Sequence, residues 1–138
     1  MREPAASRPR AVPPAVPPMV RAVCLALAAL IVFNLFYLAA KPFAAGLFPA
    51  PWDKVAHLLV YGGLTALVWV VTGGRMTFTV IAAVVVVGGL DELHQADIPG
   101  RVSDVADFAT DVLAGFAAGT LMLLYARRKW KTEPTCAE

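Results

Sequence analysis

The sequence predicts an all-α fold, an integral membrane bundle of four transmembrane helices joined by short loops. Three observations predict it. Hydrophobic residues make up 59% of the chain and charged residues 16%, where an ordinary soluble domain is about 25% charged. Mean hydropathy is +0.66, more apolar surface than a soluble domain of this size can bury. The apolar residues also fall into four runs, separated by Pro, Gly and polar clusters at 41–54, 73–75 and 97–100.

Residues 1–19 hold six of the eleven prolines. Such a segment cannot supply regular backbone donors and reads as a disordered, Pro-rich leader. The first helix is expected over 20–40, and its 21 residues would span roughly 31 Å, the thickness of a bilayer core. The h-region of a cleaved signal is shorter, about 7 to 15 residues. The run therefore reads as a signal anchor, with Ala39-Ala40 and Ala44-Ala45 as the places where cleavage would otherwise occur. Asn34 is a lone polar group in it, expected to bond a neighbouring helix.

Pro42, Pro49 and Pro51 then stop helix, and Trp52 sits at interfacial depth, as Trp130 would at the other end. The second helix is expected over 53–72, with Trp69 in packing. Gly73-Gly74-Arg75 turns the chain so briefly that the third helix must lie beside the second. That helix starts near Met76 and ends in the cluster Asp91-Glu92-Leu93-His94-Gln95. Its valines would suit a strand, but in lipid only a helix satisfies its own backbone. Asp97-Ile98-Pro99-Gly100 makes a turn, and Ser103 or Asp104 caps a fourth helix running to about Ala126. Residues 127–138 form a basic tail. Gly62-Gly63, Gly88-Gly89, Gly115 and Gly119 are read as sites of close helix packing. Cys24 and Cys136 are poorly placed to meet, so neither a disulfide nor a thiolate zinc site is expected.

Orientation follows from charge. The leader with Arg21, the turn at Arg75 and the tail hold nine of the twelve Lys and Arg, while the other two loops hold Lys41, Lys54 and Arg101. By the positive-inside rule both termini face the cytoplasm. The acids run the other way: Asp53, Asp91, Glu92, Asp97, Asp104, Asp107 and Asp111, seven of ten, fall at the outer face with both histidines.

Helical spacing sharpens that picture. Asp53, His57 and Tyr61 share one stripe of the second helix, and Asp91 and Gln95 are four apart on the third. Asp104, Asp107, Asp111 and Gly115 share an arc of roughly 80° on the fourth, with Asp111 about 10 Å deeper than Asp104. A carboxylate at that depth faces into the bundle, with His57, Lys54, Arg101 or a cation as partner. Two chemistries fit. A divalent metal ion held by Asp91, Glu92, Asp107 and His57 would grip a phosphate-bearing lipid or sugar. Without metal, His57 or a carboxyl acts as general acid or base while Arg101 binds an anion. The bland alternative is a polar network that keeps four helices in register, with Asp97 merely wetting a helix end. The glycines match no phosphate-loop pattern, and no basic, aromatic-interleaved surface suits nucleic acid.

The same residues resemble the VanZ-like family of small bacterial membrane proteins over 52–119. The resemblance rests on Asp53, Lys54 and His57 opening a helix with Tyr61 one turn on, then Asp91, Glu92 and Gln95, then Pro99, Gly100 and Arg101, then Asp107, Asp111 and Gly115. Asp111 departs from the family, which usually has Asn there, and His94 is outside its pattern. The resemblance implies a cell-envelope setting, as for the founding member, which is associated with low-level teicoplanin resistance; it supports the fold and the site more than a reaction. The expectation is an outward-facing acidic/His site that acts on or binds a phosphorylated or glycosylated envelope lipid. His57, Asp91, Glu92, Asp107 and Arg101 would carry the chemistry, supported by Asp53, Lys54, Tyr61, Gln95, Asp104 and Asp111. The alternative is a non-catalytic membrane module binding envelope lipid or a partner protein. Membrane lipids are the expected surroundings, and a homo-oligomer would be needed for transport.

Overall fold

The computed structural model describes residues 15–41, 44, 48–101 and 103–132, with side chains described to residue 128. Most of the Pro-rich leader, the end of the basic tail with Cys136, the Trp130 side chain and Ala45 of the Ala44-Ala45 pair lie outside that set. Four helices follow in order: α1 (Pro18–Phe33), α2 (Trp52–Val71), α3 (Thr77–Ala96) and α4 (Val105–Thr132). All four are long and apolar enough to cross a membrane, and the chain is a multi-pass membrane protein with an all-α bundle fold.

Two boundaries differ from expectation. α1 begins at Pro18, where proline's fixed φ suits a first helical position. It then widens to a π segment over Asn34–Leu38. There the Asn34 amide donates to the Leu30 carbonyl of its own helix at 2.6 Å, rather than to a neighbouring helix as expected. A short amide side chain one turn from a carbonyl competes for it locally. α4 continues six residues past Ala126, because Arg127, Arg128 and Lys129 are good helix formers and nothing before Pro134 stops them.

α2 packs on each of the other three helices. Buried Ala28, Tyr61, Leu64, Val84 and Ala114 make the core, with Ile31, Leu35, Val60, Leu67 and Val87 packed around it. Large apolar residues such as Leu59, Phe78, Leu113 and Leu121 point outward, as lipid-facing side chains do. Two glycines set the closest approaches. A Cβ on Gly119 would run into Ile81 of α3, and one on Gly88 would meet Asp111 of α4. Gly63, by contrast, faces nothing within 4 Å among the described residues, so no close helix approach there depends on it. At the α2–α3 turn, Gly73 and Gly74 take φ of +67° and +73°, Trp69 covers Gly74, and its indole donates to Thr77 Oγ1 at 3.0 Å.

Candidate functional site

At the opposite end from that turn, the start of α2, the end of α3 and the start of α4 meet. α2 and α4 run the same way from this end and match rung by rung. The Lys54 ammonium contacts Asp107 and, at 3.2 Å, Asp104. One turn deeper, His57 Nδ1 and Asp111 Oδ1 share a hydrogen bond of 2.8 Å. Deeper still, Thr65 faces Gly115. The stripe expected on each helix therefore exists, and the two stripes face each other. Asp111 is fully buried, and its partner among the candidates is His57.

α3 contributes the second layer. Asp91 Oδ2 accepts from the Tyr61 hydroxyl and from the Gln95 amide, both at 2.9 Å. Glu92 Oε2 accepts from the Asp104 backbone N–H at 2.9 Å and from Ser103 Oγ at 3.2 Å. Asp104 caps α4, its carboxylate accepting from the Ala106 N–H at 2.8 Å. Asp104 precedes the membrane-spanning residues, and its carboxyl is held below the ordinary carboxylate range, first by that N–H and then by Lys54.

A cavity of about 310 Å³ opens between these elements. Asp53, His57, Tyr61, Asp91, Gln95, Arg101 and Asp107 form its polar wall, and Leu35, Ala39, Ala44, Phe48 and Val60 its apolar one. His57 stacks on Tyr61 with ring centroids 5.9 Å apart. With Nδ1 committed to Asp111, Nε2 is the nitrogen left for a ligand in the cavity. Arg101 donates to the Ala44 carbonyl at 3.2 Å, tying Ala44 of the apolar wall to the α3–α4 turn. Four buried carboxylate oxygens, Asp53 Oδ1, Asp91 Oδ1, Glu92 Oε1 and Asp111 Oδ2, have no hydrogen-bond partner among the described residues. Buried acceptors are nearly always satisfied, so this cluster is built to receive donors or positive charge.

Not every expected residue sits in the same place. Of the four proposed metal ligands, His57 and Glu92 come together, but with Asp111: these three offer ligand atoms within 4.8 Å of one another. Asp91 and Asp107 stand outside that group, the first engaged by Tyr61 and Gln95, the second by Lys54. His94 meets Phe36 of the π segment in a tilted ring contact, 5.5 Å between centroids, and is not among the residues lining the cavity. Asp97 is exposed at the end of α3, as a solvated helix end should be. The apolar wall and Gly88 were not foreseen as parts of the site. Gly88, one turn before Glu92, carried the signal of a close approach without naming what approaches. Comparison of the chain with protein-family models, with curated proteins and with solved structures gave no match.

Proposed function

We propose that this chain receives the headgroup of a glycosylated or phosphorylated envelope lipid in the cavity and acts on it through His57. The observation that carries this reading is the His57–Asp111 pair: a fully buried carboxylate orients an imidazole that lines the cavity. A histidine so held presents one defined nitrogen for proton transfer. The apolar wall suits a lipid chain, Arg101 suits an anionic group, and the unpartnered oxygens of Asp53 and Asp91 suit sugar hydroxyls. A VanZ-like assignment is supported by the convergence of its four motifs on one cavity. A bacterial inner-membrane location with cytoplasmic termini is supported by Arg21 and Gly73 meeting at the opposite end, beside Arg75.

A second reading, a non-catalytic module binding envelope lipid or a partner protein, is favoured by the engagement of Lys54 with Asp107 and of Tyr61 and Gln95 with Asp91. One experiment separates the two. Lipids retained by detergent-purified protein are identified by mass spectrometry, then offered to wild type and His57→Gln. Enrichment of one headgroup class, converted by wild type and bound unconverted by His57→Gln, is the expected result. Binding without conversion in both identifies the module. A retained-lipid profile identical to the bulk membrane overturns the headgroup reading and leaves only a module that binds a partner protein.

A further inference from the structure

We propose that His57, Glu92 and Asp111 bind one divalent cation of the manganese or zinc class. The three side chains come from three helices, and each offers a ligand atom within 4.8 Å of the others. Glu92 is 6% exposed and Asp111 0% exposed, and each keeps a buried oxygen with no partner. Asp91, 1% exposed, adds a third buried carboxylate beside them. Three such groups in low-dielectric surroundings persist only when protonated or met by compensating charge.

The neighbouring cations do not supply it. Lys54 is taken by Asp53, Asp104 and Asp107, and Arg101, which donates to the neutral Ala44 carbonyl, forms no ion pair with the three buried carboxylates among the described residues. A single imidazolium at His57 leaves two of the three buried carboxylate charges uncompensated, and a divalent ion in place of its Nδ1 proton leaves one. Two carboxylates and one imidazole, with no thiolate, form the mixed oxygen and nitrogen set that suits such ions. The 2.8 Å separation of His57 Nδ1 and Asp111 Oδ1 is also close to that of adjacent ligands around an octahedral ion, roughly 3 Å for bonds near 2.1 Å. On binding, the Nδ1 proton is released and the Nδ1 lone pair goes to the metal. Nε2–H then remains a donor toward the cavity, so the site is compatible with the headgroup reading but does not rest on it.

The test is made on the full chain in detergent, stripped with chelator and reloaded separately with Mn²⁺ and Zn²⁺. One ion per chain is expected by elemental analysis, falling at least tenfold in Glu92→Gln and Asp111→Asn and unchanged in Asp97→Asn. Because the buried variants can misfold, a second measurement uses wild type alone. Electron spin-echo modulation of bound Mn²⁺ should show coupling to an imidazole nitrogen. A folded wild type that takes up no stoichiometric ion, or a bound Mn²⁺ without nitrogen coupling, overturns the proposal. Either result leaves the retained-lipid experiment standing, so the two readings fail separately.

Discussion

Gly88 and Asp111 fit against each other across the α3–α4 interface: a Cβ on Gly88 would lie 3.0 Å from Asp111 Oδ2 and 3.1 Å from its Cβ. The buried carboxylate thus occupies the space that any other residue at 88 would fill. The site depends on this missing side chain as much as on the ionisable ones.

Gly88→Ala should therefore lower stability by about 1–3 kcal/mol, the usual cost of forcing atoms into a packed interior. Gly63→Ala, with open space around it, should leave the melting temperature unchanged or raise it. Thermal unfolding in detergent of the two variants checks the pair. Equal losses would show that the α3–α4 approach is not the cause.

Lys54 holds three carboxylates with one ammonium. Lys54→Met should lower the melting temperature more than Asp53→Asn or Asp104→Asn, since each of those leaves two partners in place. The loss should shrink in high salt, where exposed charges are screened. A salt-independent loss would point to packing of the lysine stem.

Tyr61→Phe removes a buried hydroxyl that donates to Asp91 at 2.9 Å. It should cost about 1–2 kcal/mol, the typical result of leaving a buried acceptor short of a donor. Gln95→Ala strips the other donor from the same oxygen, so the two effects should be non-additive in a double-mutant cycle. Strict additivity would show that the shared Asp91 oxygen does not couple them.

The capping carboxylate of Asp104 gives a pH signature. Its folded pKa lies below the ordinary value of 3.8, so its contribution is present above that value and is lost as pH falls through the lower, folded one. The melting temperature of wild type should exceed that of Asp104→Ala by a constant margin from pH 5 to 7. Below pH 3.8 the margin should narrow. A margin that stays constant through the acid range would remove Asp104 as the titrating group.

The four helices were legible because lipid enforces a simple pattern of long apolar runs punctuated by Pro, Gly and charge. The stripes Asp53–His57–Tyr61 and Asp104–Asp107–Asp111 were legible because helical periodicity is local. Which member of one stripe meets which of the other was not. Pairing His57 with Asp111 and Lys54 with Asp107 depends on the axial offset of α2 against α4, which brings Gly62 toward Ala114 and Thr65 toward Gly115. Asn34 was misread for a related reason: its amide had a carbonyl within reach on its own helix, and spacing alone does not rank that against a neighbour's.

The rung-by-rung match of α2 and α4 limits how this protein can change in length. Lys54 with Asp107 and His57 with Asp111 are separated by 53 and 54 positions along the chain. Deleting one residue between two rungs would turn everything beyond it by about 100°, sending an ionised side chain toward lipid. Insertions can therefore accumulate in the connections at 39–51 and 97–104, while the helices between them keep one phase. Related chains should differ at the rim of the cavity and agree in its depth, so that ligand preference drifts while the buried apparatus stays in step.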